Sequence, residues 1–232
     1  QIHTTDSDGR ASLEAMAETA QALGYEYVAV TDHTPAVRIA TGLDRAGFRR
    51  QMKRIDRLNT RLDTLTILKG AEVDIRADGS LDLDDATLAM LDIVLVSLHS
   101  KFDLSPAEQT RRVIRAISHP AVDIFAHPTG RLLGRRHGAE LNFEEICRAA
   151  ADHGVMLEVN AQPERLDLND LACRAAIEHG ILLVVDTDAH TPAELGYMHW
   201  GVEQARRGWA EKKNVANARP LVRFRKLLHA QR

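Results

Sequence analysis

Asp186, Asp188 and His190 close the stretch ILLVVDTDAHTPAEL (181–195), two acids and an imidazole within five positions behind an apolar run. All of the other apolar runs but one, at 155–159, end in the same way. YEYVAV (25–30) leads into Thr31-Asp32-His33, LTILKGA (65–71) into Glu72, DIVLVSL (92–98) into His99 and VDIFA (122–126) into His127. The opening Gln1-Ile2 leads into His3, with Asp8 five residues on. Imidazoles and carboxylates without a thiolate are a donor set for zinc, manganese or iron, whereas magnesium and calcium cages use mainly oxygen. The set of His3, His33, His99, His127 and His190 with Asp8, Glu72 and Asp188 exceeds what one tetrahedral ion takes. Two or three divalent ions, bridged by a carboxylate such as Glu72, fit it better. A single histidine at a strand end is more often a hydrogen-bonded structural group than a ligand, so the recurrence carries the argument. A gathered ring of such groups is costly unless cations or hydrogen bonds compensate it.

The elements that must gather them are short β-rich runs alternating with amphipathic stretches. Seven strands are expected, at 1–2 (cut short), 25–30, 65–73, 92–98, 122–126, 155–159 and 181–186. Helices are expected over about 12–23, 44–62, 84–90, 105–117, 143–153, 169–179, 198–207 and 221–228, from apolar spacing at i, i+3, i+4 and i+7. Gly24, Gly154 and Gly180 follow helical stretches as left-handed C-terminal residues would. Near-continuous apolar strands separated by helices predict an α/β fold with a parallel sheet, covered on both faces or closed into a barrel. In a parallel barrel the C-terminal strand ends converge on one rim, which would make neighbours of residues far apart in sequence.

Composition sets the outer bounds. The 232 residues suit one domain over 1–232, with 44% hydrophobic residues and a formal charge of −3 that does not advertise nucleic-acid binding. No uninterrupted apolar segment approaches the roughly 18 residues needed to cross a bilayer, so a soluble, cytoplasmic protein without membrane contacts is expected. Cys147 and Cys173 lie in helical patterns and read as buried reduced thiols. Eleven histidines are the oddity, and the six not yet named, His119, His137, His153, His179, His199 and His229, fall in helices or loops. The chain begins at Gln1 without methionine, which raises the expectation of a piece of a longer protein.

Together, QIHTTDSDG (1–9), ALGYEYVAVTDHT (22–34), KGAEVDI with DGSLDL (69–83), VSLHSKFD (96–103), AHPTGRLLGRR (126–136), LEVNAQPERLDL (157–168), DTDAH (186–190) and ARRGW (205–209) resemble the polymerase and histidinol phosphatase (PHP) family. The likeness is strongest to the PHP domain at the C-terminal end of bacterial family X DNA polymerases. It implies a distorted (β/α)7 TIM-like barrel with three divalent ions at the C-terminal rim. By position it implies nine ligands: Gln1, His3, Asp8, His33, Glu72, His99, His127, Asp188 and His190. Gln1 departs from the histidine of many family members, and an amide oxygen is a poorer donor to a zinc-class ion. Asp6 stands where an aromatic is usual, and Asp186 where serine is common.

The resemblance further implies phosphoesterase chemistry on DNA 3′ ends, as a 3′-5′ exonuclease or 3′ phosphatase with a polymerase domain in cis. A small-molecule phosphatase of the histidinol phosphate type is the second reading, and a non-catalytic, metal-stabilised module supporting a polymerase the third. Arg131 and Arg135, in the loop after His127, are expected at the pocket edge to bind phosphate, or else form a solvated basic loop. Lys101, Asn160 and Arg165 are further substrate-binding candidates. Tyr25, Tyr27, Trp200 and Trp209 lie in strand and helix patterns and do not suggest a base-stacking platform.

Overall fold

The computed structural model describes residues 1–37 and 41–229. Its elements run α1 (Leu13–Ala22), β1 (Tyr27–Val30), α2 (Arg45–Asn59), β2 (Thr66–Asp74), α3 (Asp85–Leu88), β3 (Ile93–Ser97) and α4 (Pro106–Ile117). They continue with β4 (Ile124–Phe125), α5 (Phe143–His153), β5 (Met156–Asn160), α6 (Asp170–Glu178), β6 (Leu183–Asp186), α7 (Met198–Arg207) and α8 (Leu221–Arg225). The helices start where cap residues dictate. Ser105 accepts from Glu108 N while the Glu108 side chain accepts from Ser105 N, with Pro106 at the first helical position of α4. Gly154, at φ 66°, ends α5 in the left-handed conformation expected from its place before a strand.

All six strands are parallel, in the order β1-β2-β3-β4-β5-β6. The expected seventh strand is a single residue. Ile2 bridges both Val30 beyond one edge of the sheet and Ala189 beyond the other, donating to Ala29 O at 3.1 Å and accepting from Thr31 N at 3.0 Å. It closes the curled sheet at the rim.

Alternation sorts the strands into two apolar layers. Ala71, Val73, Val94, Val96, Phe125, Leu157, Val159, Leu183 and Val185 face outward, into one core with α4, α5 and α6. Leu68, Leu95, Ile124, Met156 and Val184 face inward, above Phe224 and Leu228 of the C-terminal segment, which seals the base. Further along the inward face the apolar set gives way to Glu72, Asp74, Glu158, Asn160 and Asp186, all buried. No helix among the described residues is long and apolar enough to cross a membrane.

Candidate metal centre

The inward residues at the C-terminal strand ends, with the short loops beyond them, bring all eight predicted imidazoles and carboxylates into one cluster. Glu72 is its centre. Its Oε1 lies 2.9 Å from His127 Nε2 and 3.3 Å from His99 Nε2, and its Oε2 lies 3.3 Å from His3 Nε2 and 3.6 Å from His33 Nδ1. Asp188 Oδ1 is 2.9 Å from His3 Nε2. Asp8 spans the opposite side, its Oδ2 lying 3.5 Å from His33 Nε2 and 3.4 Å from His190 Nε2. Three sets have donor atoms all within 4.8 Å of one another: His3–Asp8–His33–His190, His33–Glu72–His99 and His3–Glu72–Asp188.

Several details fit this donor set to divalent ions. His3 Nδ1, His33 Nδ1 and His127 Nδ1 are buried without a hydrogen-bond partner, an arrangement that buried polar atoms avoid unless something else satisfies them. Ligating histidines also have their second ring nitrogen held, which fixes the ring. His190 Nδ1 lies 2.8 Å from the Asp188 carbonyl, leaving Nε2 toward Asp8. His99 Nδ1 lies 3.2 Å from both Asp74 Oδ1 and Ser97 Oγ, leaving Nε2 toward Glu72. Gln1 fits less well: its Nε2 donates to Glu72 Oε2 at 2.5 Å, while its Oε1, the atom a metal would take, is buried without a partner.

The electrostatics show how the protein meets the charge problem on its own. Burial opposes a charge on His3, but its hydrogen bonds to Asp188 and Glu72 outweigh it and its pKa lies well above the ordinary imidazole value. His99 is likewise carried past the burial cost by Asp74 and Glu72, up to about 9, and Asp8 raises His190. Despite burial, the surrounding imidazoles hold Asp8, Glu72 and Asp188 well below the usual carboxylate range. Burial and the charge of Arg165 lower His127. Protons on three imidazoles thus occupy the electrostatic role that divalent ions would take over.

Backbone strain is concentrated around the same rim. His127, Asp188, Lys101 and Leu166 adopt φ of 27°, 47°, 59° and 41°, in the left-handed region that non-glycine residues avoid. Buried acceptors secure the flanking loops. Asp32 accepts from Thr4 N at 2.8 Å, Thr4 Oγ1 at 2.6 Å, Ser7 Oγ at 2.5 Å and Gln51 Nε2 at 2.5 Å, fixing the turn that carries Asp8. Asp167 accepts from Thr129 N and Gly130 N behind His127.

Above the cluster opens a cleft of about 810 Å³ lined by Asp8, His33, Glu72, His99, His127, Asp188 and His190, with Lys101 and Arg165 among the cations. Asn160 lies beneath instead, donating Nδ2 to Glu158 Oε2 at 3.2 Å and Asp188 Oδ2 at 3.1 Å. The expectation for Arg131 and Arg135 is corrected. Arg131 turns inward, its guanidinium donating to the carbonyls of Arg165 and Leu166, and Arg135 is exposed beside Glu164 at 3.4 Å; neither lines the cleft. Asp6, which stands where an aromatic is usual in the family, is partly buried and holds Arg54 at 2.8 Å. Reading the sequence missed Asp74 and the cleft-lining Arg76 and Arg136. Asp74 had a signal, because two residues past Glu72 on one strand means the same inward face.

The PHP domain profile matches residues 1–162. The chain belongs to the PHP domain family. It is 45% identical over 220 residues to the DNA polymerase/3′-5′ exonuclease PolX of Bacillus subtilis, covering 95% of this chain and 39% of that protein. A probable phosphatase of Acetivibrio thermocellus is 34% identical over 153 residues, 64% of this chain and 58% of its own length. The chain therefore spans between about two fifths and three fifths of these relatives. The crystal structure of histidinol phosphate phosphatase from Lactococcus lactis, complexed with zinc, L-histidinol and phosphate, superposes with a TM-score of 0.64 at 17% identity, over 91% of this chain and 93% of that one. This likeness shows the PHP-type, TIM-like fold.

Proposed function

We propose that this PHP domain is a metal-dependent phosphoesterase that acts on DNA 3′ ends, as a 3′-5′ exonuclease or 3′ phosphatase joined to a polymerase domain. The observation that carries the reading is the convergence of five imidazoles and three carboxylates on one rim around Glu72. His3, Asp8, His33, Glu72, His99, His127, Asp188 and His190 would hold two or three zinc, manganese or iron ions, with Gln1 as a ninth ligand once its amide turns its oxygen inward. Such ions activate water for attack, clamp phosphate oxygens and neutralise the leaving oxygen.

The chain's own groups supply the rest. Arg165 Nη1 is buried without a partner, and its Nε lies 3.8 Å from Asp188 Oδ2, so the guanidinium sits beside the cluster with a donor to spare for a phosphate oxygen. Lys101 adds a point charge at the cleft wall. Asn160 holds Asp188 through Oδ2 and leaves Oδ1 facing His3. A protein nucleophile is excluded for the thiols, because Cys147 and Cys173 are buried and burial pushes both up to about 12. Similarity to a protein named polymerase/exonuclease supports DNA as the substrate.

The purified chain, loaded with Mn²⁺ or Zn²⁺, is expected to release nucleotides from the 3′ end of labelled single-stranded DNA and to leave histidinol phosphate untouched. Turnover of histidinol phosphate alone would replace this reading with the small-molecule one. Turnover of neither would leave the non-catalytic module.

A further inference from the structure

The cations around the cleft are not evenly distributed. Arg76, Lys101, Arg136 and Arg165 come from the loops after four consecutive strands, β2, β3, β4 and β5. The N-terminal segment and the loop after β6 contribute Asp8 and His190 to the lining, but no lysine or arginine among the described residues. Arg165 lies against the cluster through Asp188. Arg136 is near enough to Arg165 for the two charges to repel, and Arg76 and Lys101 line the cleft from the loops after β2 and β3.

Each is held in place with a donor left over. Arg76 uses Nε and Nη2 on Asp82, at 3.2 and 2.8 Å, which leaves Nη1. Arg136 uses Nε and Nη2 on the Gly130 carbonyl, at 3.1 and 2.7 Å, and lies 4.2 Å over the Phe102 ring, again leaving Nη1. Lys101 forms no ion pair among the described residues and is presented from a left-handed residue whose carbonyl accepts from buried Gln109 at 2.5 Å. The preceding Ser100 carbonyl accepts from Arg112 at 2.8 Å. The turn is therefore fixed from behind. Of the cleft's carboxylates, Asp8, Glu72, Asp74 and Asp188 already face histidines, which leaves Asp103 within the lining, and Asp82 beside it pairs with Arg76.

Arg76 is paired with Asp82, whereas Lys101 and Arg136 have no ion pair among the described residues, so the cleft carries positive charge that a neighbouring polyanion would neutralise. A lone phosphate at the cluster has Arg165 beside it and no use for all three. We propose that Arg76, Lys101 and Arg136 form a phosphate track, so that the cleft takes a phosphodiester chain whose further phosphates lie across the loops after β2, β3 and β4. This rests on the phosphoesterase reading and deepens it, making Arg76 and Arg136 specificity-determining residues for chain length.

The test measures KM on a thymidine dinucleotide, tetranucleotide and octanucleotide with the Mn²⁺-loaded protein. Alongside it, fluorescence anisotropy follows binding of the same 5′-labelled oligonucleotides to the EDTA-treated protein. KM and Kd are expected to fall by about tenfold from dinucleotide to octanucleotide, with a log–log salt slope near −0.7 per phosphate engaged. The double variant Arg76→Gln/Lys101→Ala should lose most of that length dependence and flatten the slope by about one unit. Arg136→Lys should weaken it less, and Arg135→Ala, outside the cleft, should keep it. Equal KM and Kd at all lengths, or a double variant with the parent's salt slope, would overturn the track. Length-dependent binding without any hydrolysis would leave the track standing and remove the phosphoesterase reading instead.

Discussion

The two ends of the barrel are built from the same strands and follow opposite rules. At the base, the inward positions are Leu68, Leu95, Ile124, Met156 and Val184, capped by Phe224 and Leu228, and each is nearly or wholly shielded from solvent. Beside them an apolar cavity of about 780 Å³ opens between Tyr27, Val184 and Phe224. At the rim, two steps along β2 and one along β5, the same face carries Glu72 and Glu158, both fully buried. The base lowers free energy by removing apolar surface from water; the rim concentrates groups that are costly to bury and strains the backbone that presents them. A barrel can carry such a rim because its stability comes from elsewhere.

If that division is right, damage at the two ends has different consequences. The largest effect is expected from His99→Ala or Asp188→Ala, each of which should lower phosphoesterase turnover by at least about a thousandfold, since each removes a donor from the centre. The metal-free protein should lose some stability as well, because His99 faces Glu72 and Asp188 faces His3 and Asn160, and each change leaves a buried partner unpaired. Activity surviving both changes would remove the assigned centre. The converse is Phe224→Ala at the base. It deletes a buried ring stacked 5.2 Å from Tyr27 and should cost about 3–5 kcal/mol by denaturant unfolding, while turnover per folded molecule at 25 °C stays near the parent value.

The rim was readable in the sequence for a simple reason: six of the seven expected strands ended in a titratable residue, and parallel strands bring such ends together. The eight gathered side chains and six of the seven strands follow from that rule alone. What lay outside it is set by loop shape. In the segment after β4, Leu132 and Arg136 form an antiparallel bridge, and Gly134 turns between them at φ 73°. That tight turn aims Arg131 back onto the carbonyls of Arg165 and Leu166, sends Arg135 to solvent and delivers Arg136 to the cleft. Spacing from His127 cannot encode such a reversal. Asp32 and Asp167 were likewise hidden, because their partners are backbone amides and side chains of segments distant in sequence.

Proton linkage should sharpen the contrast between the ends. His3, His99 and His190 have pKa values raised above the ordinary imidazole value of 6.5, His99 to about 9, so their protonated forms stabilise the metal-free fold. For raised values that contribution is complete below about 6.5 and fades as pH climbs through about 9. EDTA-treated protein should therefore melt several degrees lower at pH 9 than at pH 6. Zn²⁺ or Mn²⁺ displaces those protons, so it should stabilise more as pH rises across the same window. A metal-induced shift in melting temperature that shrinks toward pH 9 would break the assignment of these histidines as ligands.

The smallest effect concerns the base's own titratable pair, which resembles the rim in composition and differs in wiring. Asp123 is fully buried; it accepts from His229 N at 2.5 Å and Val94 N at 2.9 Å, and its Oδ2 lies 2.6 Å from His229 Nδ1. Every oxygen is thus used within the fold, tying the C-terminal segment to β3. Asp123→Asn keeps the shape but turns one acceptor into a donor facing another donor, at a cost of about 1–3 kcal/mol. His229→Ala should cost a similar amount, and the double variant should fall short of the sum because the two changes break one shared bond. Metal stoichiometry should be untouched in all three proteins. A loss of bound ion in Asp123→Asn, measured on folded protein, would mean that the two ends are coupled and that the division between them is wrong.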